Sequence, residues 1–74
     1  MDETSKMVYY SIMIINMFAN KFSLTIRDAY FYLNKYKGLK FLKDFYDINH
    51  TLNSDDIVLD LIALCKKEGG DLSW

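Results

Sequence analysis

The 74-residue chain has no proline, a single cysteine, a single histidine and three glycines, and its formal net charge is −1. Each scarcity excludes something. Without proline, the breaks between elements must come from caps and glycines, and Pro-rich linkers are absent. One cysteine cannot close an intramolecular disulfide, so Cys65, set in an apolar run, is expected to pack as a small hydrophobe in a reduced, cytoplasmic protein. One histidine, His50, has no second imidazole to share a metal, and no GxGxxG or GKS/T turn accompanies it. Nucleophilic, metal and phosphate-binding constellations therefore cannot be assembled, and the chain reads as a non-enzyme with no catalytic residue, metal ligand set or cofactor. His50 is expected to cap a carbonyl or fill a polar gap between two helices. A net charge near zero also argues against a protein that neutralises phosphates over its whole surface.

What the chain does have is apolar mass: 51% hydrophobic and 16% aromatic residues. A chain this short buries only about 60% of its extended surface, so it needs a dense core or a shared one. A single helical domain over 1–74 is expected, with loose ends at 1–4 and 71–74 and Trp74 able to fold back onto an apolar patch. Charge is unevenly spread. From Lys21 to Lys43 the sum is +5, and from Asp44 to Trp74 it is −5. Such a split suits internal complementarity, head-to-tail association or a partner charged on one side. The apolar run Met7 to Phe18 is too short, and too interrupted by Ser11 and Asn16, to span a membrane. Nor does it carry the positive start or small-residue cleavage site of a signal peptide.

Periodicity and caps predict an all-α, four-helix bundle-like domain with helices at about 5–20, 25–36, 39–47 and 54–68. Thr4 or Ser5 would cap the first, which is apolar almost all round and should be central. Thr25 with Asp28 forms an acidic capping box for the second, with Leu24 and Ala29 as its hydrophobic staple. Ile26, Ala29, Tyr30, Leu33 and Tyr36 would make its core face. Lys37-Gly38 should end it, the glycine taking the left-handed conformation. The third helix would bury Leu39, Phe41, Leu42, Phe45 and Tyr46. Asn53 or Ser54 caps the fourth, Asp55 and Asp56 complement its dipole, and Gly69-Gly70 ends it. The first and fourth helices have narrow polar faces, so sharing them between two subunits, as a homodimer, is the expected supplement.

Few residues invite a role beyond packing. Asp55, Asp56 and Asp60 lack the spacing of a cation loop, and capping explains the first two. The six tyrosines are core residues first, rings buried and hydroxyls wet. Arg27, Phe31 and Lys35 follow at i, i+4 and i+8 on a side of the second helix away from its core face. An aromatic between two cations is a hot-spot composition, and these three are the candidate partner-binding residues. The alternative is a helix-turn-helix DNA-binding regulator built from the second and third helices. Its reading helix would be short, would offer Lys40, Lys43 and Asp44, and would lack arginine, asparagine or glutamine for bidentate base contacts.

The order of Leu24-Thr25-Ile26-Arg27-Asp28-Ala29-Tyr30, Tyr32-Leu33-Asn34-Lys35-Tyr36-Lys37-Gly38-Leu39, Phe41-Leu42, Tyr46, His50-Thr51 and Asp55-Asp56 resembles the short bacterial proteins grouped as domain of unknown function family 3791. The resemblance runs from about Met7 to Gly70. It implies a stand-alone cytoplasmic bacterial protein without known catalytic residues, so no functional residue is carried over. Relatives are sometimes encoded beside proteins resembling ADP-ribosyltransferases, which implies a toxin-neutralising or accessory role. The expectation is thus a non-catalytic protein–protein interaction module, antitoxin-like or accessory, that binds a protein partner, itself, or both, and neither nucleic acid nor membrane.

Overall fold

The computed structural model describes residues 3–70. Among them the chain is all α, with α1 Glu3–Lys21, α2 Ile26–Lys35, α3 Gly38–Asp44, α4 Tyr46–Asn49 and α5 Ser54–Lys67. The expected loose end at 71–74, with Trp74, lies outside the described residues. Residues 3 and 4 are not loose: α1 already includes Glu3 and Thr4, and Glu3 in its first turn complements the helix dipole. Neither Thr4 nor Ser5 is therefore the cap.

Helix α1 is the central element, packing against α2, α3 and α5. It buries one stripe, Ile14, Ile15, Phe18 and Ala19. Around it gather Ala29 and Leu33 of α2, Leu42 of α3, and Ile57, Val58, Leu61, Ile62 and Cys65 of α5. Each large aliphatic side chain fully buried there contributes roughly 1.5–3 kcal/mol. The Phe18 ring lies 4.9 Å from Phe22 and 5.8 Å from Tyr32, so aromatics seal the end of this core where α1 turns into α2.

The turn after α1 is built by backbone bonds alone. Leu24 N–H donates to Ala19 C=O at 2.8 Å and Ser23 N–H to Asn20 C=O at 3.3 Å, with Ser23 left-handed at φ 54°. This Schellman arrangement usually employs glycine. Thr25 then caps α2 as expected, its Oγ1 accepting from Asp28 N–H at 3.1 Å. Asn53 caps α5 by accepting from Asp55 N–H at 2.8 Å. At the far end of α5, Gly70 N–H donates to Cys65 C=O at 2.7 Å with Gly69 at φ 102°.

Three local expectations are corrected. The left-handed residue ending α2 is Lys37, at φ 68°, and not Gly38. Gly38 starts α3 and is buried; its missing side chain matters because an added Cβ would stand 2.8 Å from Leu33 Cδ2. Second, the expected third helix is broken at Phe45 (φ −113°, ψ 18°) into α3 and the one-turn α4. Asp44, Asp47 and Asn49 are weak helix formers, so little resists the break. The new direction buries Tyr46 edge-on to Tyr10, at 5.4 Å between ring centres, and leaves Phe45 exposed.

Third, α2 is rotated from the expected core face. Ala29 and Leu33 point inward with Tyr32 and Tyr36 packed beside them, whereas Ile26 is 46% and Tyr30 47% exposed. Stacking of Tyr32 on Phe18 and of Tyr36 against Tyr32, at 4.8 Å, fixes this orientation. The apolar arc of α2 is wider than its neighbours can cover, and its uncovered edge becomes surface.

Candidate functional site

That uncovered edge opens a groove of about 360 Å³ between three helices. Met7, Val8, Ser11, Ile12 and Ile15 of α1 form one wall, Ile26 and Tyr30 of α2 another, and Leu39 and Lys43 of α3 the third. Val8 is 51% and Ile12 44% exposed. At about 100° per residue they share a stripe next to Ser11 and Ile15, on the side of those away from the Ile14–Phe18 stripe. Ser11 keeps the floor low because its side chain is small.

The candidate stripe Arg27, Phe31 and Lys35 is on the surface, with Phe31 55% exposed. The structure pairs two of the three. The Arg27 guanidinium sits 5.7 Å from the centre of the Phe31 ring, a cation–π distance. Lys35 instead leans over Tyr36, at 5.3 Å, and so does not flank Phe31. Tyr30 meets Phe31 edge-on at 5.8 Å and also lines the groove, which makes the Arg27–Phe31 pair and the groove one continuous surface.

Charges around this surface are unevenly employed. Lys37 pairs with Glu68 at 3.0 Å, tying the α2–α3 turn to the end of α5, and Lys40 pairs with Asp44 at 2.6 Å. Lys43, at the groove wall, makes no ion pair with a described residue. Both ion pairs join a cation of the +5 half to an acid of the −5 half.

The remaining candidates are structural in their placement. His50 ends α4, its Nδ1 2.6 Å from Tyr46 C=O and its ring stacked on Tyr46 at 4.5 Å. A protonated Nδ1 donating to that carbonyl is the capping role expected of it. Cys65 is buried against the core, and burial pushes its thiol up to about 11. A thiol held protonated is a poor nucleophile. Burial also raises the Tyr46 hydroxyl, and burial with nearby Tyr46 raises that of Tyr10. Tyr10 Oη and Asn49 Nδ2 are buried without a hydrogen-bond partner among the described residues, where α4 meets α1. No group of three or more His, Cys, Asp or Glu among the described residues could hold a metal ion. No described helix is long and apolar enough to cross a membrane.

The groove was missed in the sequence because Met7 to Phe18 reads as uniformly buried. Two signals were present: Ser11, a small polar residue inside the apolar run, and Val8-Ile12, an i, i+4 pair about 120° around the helix from the Ile14-Phe18 pair.

A small all-α domain, five helices among the described residues, whose distinguishing feature is an open apolar surface is a class, not an identity. The chain belongs to the family described as protein of unknown function (DUF3791), whose model matches residues 9–68. That span takes in α2 to α5, α1 from Tyr9 onward and the Arg27–Phe31 pair. Neither the comparison with curated proteins nor that with solved structures gives a match.

Proposed function

We propose that this chain is a non-catalytic protein–protein interaction module, cytoplasmic and bacterial, serving as an antitoxin-like or accessory partner of a neighbouring toxin or ADP-ribosyltransferase-like protein. The observation that carries this reading is the continuous apolar surface through Phe31, Tyr30 and the α1–α2–α3 groove. A half-exposed phenylalanine gains little for a monomer beyond its contacts with Arg27 and Tyr30, whereas aromatic and arginine side chains together anchor interfaces. The buried, raised thiol of Cys65 and the capping geometry of His50 keep both residues within the scaffold. The bacterial origin and the toxin partner rest on the family resemblance.

The DNA-binding alternative has less behind it. Of the lysines offered by the would-be reading helix, Lys40 pairs with Asp44, the Lys37 before it pairs with Glu68, and α3 itself has seven residues. Co-expression with the product of the adjacent gene tests the proposal. Co-purification that persists in high salt is expected, because an apolar interface, unlike phosphate contacts, is not weakened steeply by salt. Salt-sensitive retention on DNA without a protein complex would overturn it.

A further inference from the structure

The groove has a shape as well as a polarity. From Met7 to Ile15 the α1 wall extends about 12 Å, just over two helical turns. Its lining is apolar except for Ser11 on the floor and Lys43 at the α3 edge. Lys43 lines the groove and makes no ion pair with a described carboxylate.

We infer that this groove receives one amphipathic helix of a protein partner, with apolar side chains at i, i+4 and i+7 or i+8 and an acidic residue beside that stripe facing Lys43. Two considerations select this occupant. A helix about 10 Å across lies along a groove of this length and inserts successive apolar residues against Val8, Ile12, Ile26 and Tyr30. A stable dimer contact covers about 800 Å² per subunit, and about 12 Å of groove under one helix falls well short of that. The cation at the rim gives orientation: an acid on the partner helix is attracted, a base is repelled. This inference deepens the interaction-module reading and rests on it.

The test uses a labelled synthetic peptide of three helical turns with leucines at i, i+4 and i+7 and glutamates flanking them, together with a second peptide carrying lysines in place of the glutamates. Fluorescence anisotropy with the intact chain is expected to show saturable binding of the acidic peptide and weaker binding of the basic one. Ile12→Glu, at an exposed site, should weaken the acidic peptide about tenfold or more. Lys43→Glu, which disturbs no core contact, should reverse the preference between the two peptides. Binding indifferent to Lys43→Glu, or no saturable binding, overturns the assignment. So does a concentration-dependent dimer that Ile12→Glu dissolves, since a second copy would then fill the groove. Failure here with successful co-purification of the neighbouring protein would leave the module standing and move its contact elsewhere, whereas failure of co-purification alone would reject the neighbour as partner.

Discussion

Gly38→Ala adds one methyl group at the most crowded point of the α2–α3 turn. The new Cβ would sit 2.8 Å from Leu33 Cδ2, 3.1 Å from Leu33 Cβ and 3.2 Å from Leu33 C=O. Leu33 cannot swing aside, because it is fully buried against α1 and α5. Overpacking of this kind costs about 1–3 kcal/mol. Opposing it, alanine is preferred to glycine in a helix by up to about 1 kcal/mol, less at a first-turn position. Packing therefore wins, with a net loss of about 1–2 kcal/mol. For a domain of this size the melting temperature should fall by roughly 4–16 °C. In a Leu33→Ala background the closest contact, with Cδ2, is removed while those with Cβ and the carbonyl remain, so the same substitution should cost less, a coupling visible in a double-mutant cycle. Thermal and urea unfolding of the four proteins decides the matter. A stabilised Gly38→Ala single variant would refute the close approach of α3 to Leu33.

Phe31→Ala should leave the fold nearly intact, losing under about 1 kcal/mol, while Leu33→Ala should lose about 2–5 kcal/mol, a large share of what so small a domain possesses; equal losses in urea unfolding would place Phe31 in the core. Cys65 should contribute an alkaline loss of stability: its folded thiol is raised to about 11 from an ordinary 9.0, so the contribution is full below about pH 8.5 and disappears as pH rises through 11, when only the unfolded chain first forms thiolate. The effect is of order 2 kcal/mol, shows as a urea midpoint falling with pH, and should shrink in Cys65→Ala to the remainder carried by Tyr10 and Tyr46, whose raised hydroxyls act in the same direction. His50→Gln should retain partner binding and change stability by no more than about 1 kcal/mol, because one carbonyl cap is at stake; loss of binding in a folded variant would give His50 a role beyond capping.

How much of this was legible in the sequence follows from the range of each interaction. Caps are local, and Thr25 with Asp28, Asn53 with Asp55 and Gly69-Gly70 could be read from neighbouring letters. The α1 terminus could not, since Ser23 adopts a conformation usually given to glycine and its bonds are all backbone. Likewise, the glycine in Lys37-Gly38 suggested a left-handed turn, but the tertiary demand was space beside Leu33, and Lys37 took the strained position. The rotation of α2 was set by Phe18, Tyr32 and Tyr36 touching across elements, which a single-helix periodicity does not contain. Because Ile26 and Tyr30 look like core residues in the sequence, the groove they line was hidden by the same signal that identified the helix. Phe31, by contrast, fell outside the apolar arc, which nominated it as exposed while leaving open its being covered by the last helix or by the tail with Trp74; it is 55% exposed.

The most direct measurement of the central claim is a calorimetric titration of the purified product of the adjacent gene with this chain, in its wild-type form and as Phe31→Ala. A saturating complex with a negative heat-capacity change is expected, as burial of apolar surface requires. Phe31→Ala should weaken it by on the order of 2 kcal/mol, about thirtyfold, without unfolding the domain. A complex of unchanged affinity in both Phe31→Ala and Ile12→Glu, or no complex at all, would contradict an interaction module working through this surface.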